Sequence, residues 1–144
     1  VATFNKFYPF VDAVSNGYHN LGADILSIAL LTSAGTPSAT YSGYSQISGA
    51  EIDYTNLSGQ ATALEMDASS STQTSGVYTL VLPDLTLTAS GAIPSFRYIV
   101  LYNKSVSGQD NNLIGWWDYG ASVTMQDTTT FLVDFQSFTV KISG

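Results

Sequence analysis

Nucleophilic catalysis needs a base within hydrogen-bond reach of the nucleophile and a third group that orients the base. His19 is the only imidazole among 144 residues, and there is no cysteine. Thiolate catalysis, disulfides and cysteine-held zinc are therefore excluded. No Gly-x-Ser-x-Gly elbow occurs. His19 lies in Tyr18-His19-Asn20-Leu21-Gly22, just before the first long apolar run, and reads as a structural or exposed histidine. The sequence predicts no enzyme, no catalytic residue and no cofactor.

The acidic residues offer more. Glu51 and Asp53 are two apart, as are Glu65 and Asp67, so on strands each pair shares a face. A hairpin turning near Gly59 puts Glu51 opposite Asp67 and Asp53 opposite Glu65. Like charges directly opposite one another are destabilising. The face must then be well solvated, be in another register, or hold a hard cation such as Ca²⁺. The solvated face is the reading adopted here. No metal site is assigned, and Glu51, Asp53, Glu65 and Asp67 are the candidates should a cation bind. Two opposed carboxylates are also the equipment of a glycosidase. A polysaccharide-degrading enzyme rests on these pairs alone.

Gln109-Asp110-Asn111-Asn112 resembles part of an oxygen-rich calcium loop but lacks the fixed spacing and the distant Glu of an EF-hand, so it reads as a polar turn. Asn56-Leu57-Ser58 and Asn103-Lys104-Ser105 match the glycosylation sequon, as chance matches do in a chain rich in Ser and Thr.

Two aromatic groups stand out. Trp116-Trp117, next to Tyr119, suits a sugar-stacking platform or a subunit contact. On a strand one indole faces in and the other out. Phe4, Phe7, Tyr8 and Phe10 crowd the N-terminal segment and must be covered, by the chain itself or by a neighbour. Phe4, Phe7, Tyr8, Phe10, Trp116 and Trp117 are the candidate interface residues.

The elements that position these residues follow from composition. Apolar residues make up 44% and charged residues 10%, well below the usual share of about a quarter, so the chain folds rather than stays disordered. No apolar run is long enough for a transmembrane helix, and residues 1–6 lack the layout of a signal peptide. Four basic residues, Lys6, Arg97, Lys104 and Lys141, face eleven acidic ones, for a net charge of −7. No nucleic-acid backbone and no anionic membrane is a partner for such a surface.

Thr and aromatics favour strands, while Ser and Gly favour turns. Ile25–Leu31, Val77–Leu82, Leu85–Thr88, Phe96–Tyr102, Leu113–Tyr119, Ser122–Met125, Phe131–Phe135 and Phe138–Ile142 read as strands, with Phe96–Tyr102 in the sheet interior. Phe96–Tyr102 and Leu113–Tyr119 form a hairpin with a long loop. Pro9 to Asn16 reads as one short helix ended by Gly17, preceded by an extended arm. Gly35–Gly49 and Ala68–Gly76 read as the least ordered stretches. The expectation is one all-β domain over 1–144, an antiparallel sandwich or jelly-roll-like domain or a small barrel. It comprises an apolar N-terminal arm and short helix over 1–16 and a β core over 17–144.

Four stretches resemble small structural proteins of tailed bacteriophages: Ala2-Thr3-Phe4-Asn5-Lys6-Phe7, Tyr18-His19-Asn20-Leu21-Gly22-Ala23-Asp24, Phe96-Arg97-Tyr98-Ile99-Val100-Leu101-Tyr102-Asn103 and Leu113-Ile114-Gly115-Trp116-Trp117-Asp118-Tyr119-Gly120. They span most of the chain in the same order; nothing is carried over for Gly35–Gly76. The resemblance implies a virion structural protein and transfers no catalytic residues. With the physical reading it points to a capsid decoration (cement) protein. Such a protein is made in the host cytoplasm and sits on the outer capsid surface. It is a homo-oligomer, a trimer by expectation, with the major capsid protein as its partner. The runner-up is a tail or tail-tip protein that binds a host glycan through an exposed Trp.

Overall fold

The computed structural model describes residues 3–68, 70–108 and 110–135, and the backbone of 138–140. The main sheet is antiparallel. It contains β1 (Phe4–Lys6), β2 (Leu26–Leu31), β3 (Glu65–Met66), β7 (Ile93–Asn103) and β8 (Leu113–Met125), in the order β1-β8-β7-β2-β3. β7 lies inside it, as the run Phe96–Tyr102 predicts. Every residue of β2 is buried. This is why its apolar run is continuous rather than alternating: both faces of the strand are covered. The expected Leu113–Tyr119 and Ser122–Met125 strands are one strand, β8.

A second sheet has the order β10-β5-β4, with β4 at Ser70–Thr74, β5 at Val77–Val81 and β10 at Phe138–Val140. The expectation that Ala68–Gly76 is among the least ordered stretches is corrected by β4. Its hairpin turns on Ser75 and Gly76, both at positive φ (53° and 80°), with Thr74 paired to Val77. Two positive-φ residues match the right-handed twist of the strands they join. Residues 141 and 142 of the expected last strand lie outside the described residues. The remaining pair, β6 (Leu85–Thr88) and β9 (Thr130–Val133), packs on the main sheet through Phe131, whose ring meets Phe96 edge-on at 5.4 Å.

The one α-helix among the described residues, α1, spans Pro9–Ser15 and buries Phe10 and Ala13. Pro9 occupies its first turn, where the missing N–H is not needed. Gly17 follows at φ 80° and ends it. The residues before it are extended, as expected, and of the two possible covers for their aromatics the chain itself supplies one. Phe4, Asn5 and Lys6 pair with Trp117, Trp116 and Gly115 of β8, and the Phe7 amide donates to the Ile114 carbonyl at 3.1 Å. Phe7 and Phe10 join the same core as β2 and β7. Gly115 permits this: a Cβ there would collide with the Phe4 ring and the Asn5 carbonyl. Gly35–Gly49 likewise contains short 3-10 turns, at Tyr44–Gln46 and in Ser48–Ala50, which begins within it.

Candidate functional site

The carboxylates do not stand face to face; of the alternatives, it is the register that differs. No hairpin turns at Gly59; residues Gln60–Leu64 make a 3-10 turn instead. Glu51 bridges Leu31 and Glu65 pairs with Ser27, so both acids flank one edge of β2, four residues apart along it. At ~3.3 Å per residue that is about 13 Å, too far for direct repulsion to decide the fold. Asp53 is exposed and accepts hydrogen bonds from the Thr55 amide (2.9 Å) and hydroxyl (2.7 Å), which hold its carboxyl below the usual range. Asp67 is exposed. Among the described residues no three His, Asp or Glu side chains are grouped to hold a metal ion.

What the structure does assemble is a tyrosine-lined cavity beside β2. Its volume is about 390 Å³, within the range of small-ligand sites. The first 3-10 turn brings Tyr44 to it, the segment after the second brings Glu51 and Tyr54, β7 brings Tyr102, and Lys104 follows at the end of that strand. Glu51 is fixed from both sides. The Tyr44 hydroxyl donates to Oε1, and the Tyr54 hydroxyl donates to Oε2 at 2.5 Å. Tyr54 in turn accepts from the Leu30 amide of β2 at 2.9 Å. The Tyr44 and Tyr102 rings stand 4.9 Å apart, 33° from parallel. The Tyr44 amide donates to Asn112 Oδ1 at 2.9 Å, which ties the 3-10 turn to the start of β8. Lys104 forms an ion pair with Glu65.

Burial pushes all three phenols above their ordinary pKa, Tyr44 and Tyr54 far above, and the Glu51 carboxylate adds to the shift. These tyrosines therefore stay neutral across the physiological range and offer hydroxyls and ring faces, not charge. Sequence reasoning missed this grouping. Its signal was faint: Tyr41, Tyr44 and Tyr54 punctuate a segment otherwise rich in Ser and Gly, with Glu51 between them.

The interface candidates divide. Phe7 and Phe10 are fully buried in the chain's own core, which removes them as contact residues. Trp116 faces Phe7 (4.6 Å), while Trp117 faces Phe4 (5.1 Å) and Phe135 (5.6 Å). The indoles do point to opposite faces, as a strand requires. Both are nevertheless half-buried: Phe7, just after β1, packs on Trp116, and Phe4 and Phe135 pack on Trp117. Phe4 is half-buried too. Tyr8, at 69% exposure, is the N-terminal aromatic that reaches solvent, and Tyr119 is the exposed ring near the Trp pair.

His19 is structural in its contacts. Its Nδ1 is 3.1 Å from the Asn103 amide nitrogen, its ring meets Phe10, and its Nε2 is buried without a hydrogen bond of good geometry. Asn103 is fully buried, which takes the second sequon out of reach in the folded chain. In the Gln109–Asn112 turn, Gln109 lies outside the described residues and Asn112 is buried. Arg97 pairs with Asp118 at 2.9 Å and Lys104 with Glu65, so these two bases are already matched by acids; Lys141 lies outside the described residues. Among the described residues no helix is long and apolar enough to cross a membrane.

No protein-family model matches the chain, and no curated protein and no solved structure shows significant similarity to it.

Proposed function

We propose that this chain is a phage virion structural protein of the capsid decoration type, binding the outside of the head shell as a homo-oligomer, with the major capsid protein as its partner. The observation that carries the reading is β4. It is the outer strand of its sheet, and all five residues, Ser-Ser-Thr-Gln-Thr, are exposed. Outer strands present unpaired N–H and C=O groups, and proteins ordinarily guard them with charge, proline or a bulge. β4 has no charge and no proline, and its register with β5 runs without a break. Such a strand suits pairing with a strand of a neighbouring subunit.

The resemblance supports the same reading. Its four stretches meet in pairs: residues of the first lie on β1, against β8 from the fourth, and the 19–24 segment is hydrogen-bonded to Asn103 from the third. They form the frame of the fold rather than a catalytic pocket. With Phe7 and Phe10 buried in the chain itself, attachment falls to β4 and exposed side chains such as Tyr8 rather than to a detached arm.

The test is a cryo-EM map of the parent particle, with Thr72→Lys and Gln73→Lys introduced on β4. The expected result is density on the head, lost or thinned when the strand carries charge, while each purified variant keeps the parent's melting temperature. Density at the tail alone would refute the decoration reading and promote the tail protein.

A further inference from the structure

We propose that the cavity beside β2 binds a carbohydrate of one or two rings, with Tyr44 and Tyr102 as its stacking wall and Glu51 as the acceptor for sugar hydroxyls. This proposal is independent of the capsid reading: no β4 residue lines the cavity, and it needs no assembly.

The first argument is preorganisation. A carboxylate that must be ordered on binding costs conformational entropy. Glu51 is already held at both oxygens by the Tyr44 and Tyr54 phenols, and Tyr54 is anchored to the Leu30 amide of a fully buried strand. Each carboxylate oxygen has more than one acceptor site, so capacity remains after these bonds form. A site held by neighbours of this kind is ready for a ligand before the ligand arrives.

The second argument is the mixture of surfaces. Ile28, Leu64 and Val106 contribute apolar lining, beside the two tyrosine rings and the polar groups of Ser27 and Asn112. A pyranose has the same division. Its C–H face packs against an aromatic ring, while its hydroxyls at the rim need both donors and acceptors.

The third argument is charge. Lys104 already neutralises Glu65, and Glu51 is surrounded by neutral phenols. An anionic ligand meets the Glu51 carboxylate. An organic cation is drawn to Glu51, but its best receptor is a cage of open ring faces, whereas Tyr44 and Tyr102 lie 4.9 Å apart and only 33° from parallel, against each other. A neutral polyhydroxyl ring meets neither obstacle.

The experiment is a titration of the ¹⁵N-labelled full chain, followed by amide shifts, with glucose, galactose, N-acetylglucosamine, maltose and lactose at millimolar concentrations, and with tetramethylammonium chloride. At least one sugar should give saturable shifts at Tyr44, Glu51, Tyr102 and Lys104. Ala61→Trp adds bulk at an exposed position lining the cavity without deleting any of its bonds, and should weaken binding about tenfold or more. Tyr102→Phe keeps the ring and should bind within about twofold of the parent, whereas Tyr102→Leu should lose binding. Tyr119→Ala, on the surface near the Trp pair, should change nothing. Thermal melts of each variant separate loss of binding from loss of fold. The proposal is overturned by an absence of saturable shifts with all five sugars, by shifts centred on Trp116 to Tyr119, by unchanged affinity in folded Ala61→Trp, or by saturable shifts with the ammonium salt alone.

Discussion

Asn103 and His19, 84 residues apart in sequence, meet in the interior: the Asn103 side-chain nitrogen lies 3.1 Å from Nδ1 of the imidazole. The same nitrogen donates to Asp24 at 2.7 Å, and Asn103 Oδ1 accepts from the Ser105 amide at 2.9 Å. One fully buried amide thus ties the segment before β2 to the loop between β7 and β8. Two backbone-linked contacts reinforce it, from Ile25 to the Ser105 hydroxyl (2.8 Å) and from Lys104 to the Ile25 carbonyl (2.9 Å).

This node predicts a pH dependence. Burial lowers the His19 pKa from its ordinary 6.5, opposed in part by the Asp24 carboxylate and the Asn111 carbonyl. The folded chain therefore binds the imidazole proton less tightly than the unfolded chain does. The contribution of neutral His19 is complete above about pH 6.5 and is lost as pH falls from there through the folded pKa. Between about pH 7 and about pH 5 the parent's melting temperature should fall more than that of His19→Gln. Equal slopes for the two would contradict this account.

Removing Asn103 has a larger effect. Asn103→Ala leaves Asp24, the Ser105 amide and His19 short of a partner at one stroke. Asp24 and His19 are partly buried and Ser105 is exposed, so water meets part of the loss, and the total is about the 1–3 kcal/mol of one buried unsatisfied group. Urea unfolding should show a loss of about that size, with the slope of the transition unchanged.

The N-terminal segment belongs to the fold. Phe7→Ala should cost about 3–5 kcal/mol, as truncation of a buried Phe does. Deleting residues 1–10 should unfold the chain rather than merely weaken its attachment elsewhere. Circular dichroism of the truncated protein decides between the two outcomes.

Gly115→Ala tests the seat of β1. The added methyl collides with the Phe4 ring and the Asn5 carbonyl, so β1 must shift away from β8. Overpacking of this type costs about 1–3 kcal/mol. Tryptophan fluorescence should change with it, because Trp116 and Trp117 sit under Phe7 and Phe4.

Calcium should leave the melting temperature unchanged, and so should EDTA. A cation that binds only the folded state must raise it by mass action. Glu51 is engaged by two phenols and Glu65 by Lys104, and neither pair faces the other. A rise in melting temperature with millimolar Ca²⁺ would reopen the acidic residues as ligands.

Much of the fold is legible in the chain itself, because local pattern and burial agree there. A continuous apolar run such as Leu26–Leu31 is stable only with both faces covered, and it lies inside the main sheet. Pro9 and Gly17 bracket α1 through their own backbone geometry, without help from distant residues. The Ser75-Gly76 hairpin was missed, because a polar strand at a sheet edge has no apolar alternation to reveal it. Pairing is a different matter. Whether Glu51 opposes Asp67 or Leu31 depends on register, and register is set by which long-range faces bury together. The same cause hid the tyrosine cavity: Tyr44, Tyr54 and Tyr102 come from separate segments, and only the closing of the 3-10 turns against β2 and β7 puts them on one wall. It also decided the fate of the N-terminal aromatics. Their need for cover is plain from their type, but that the cover is β8 and the core, rather than a neighbouring subunit, follows from a contact between residues more than 100 apart in the chain.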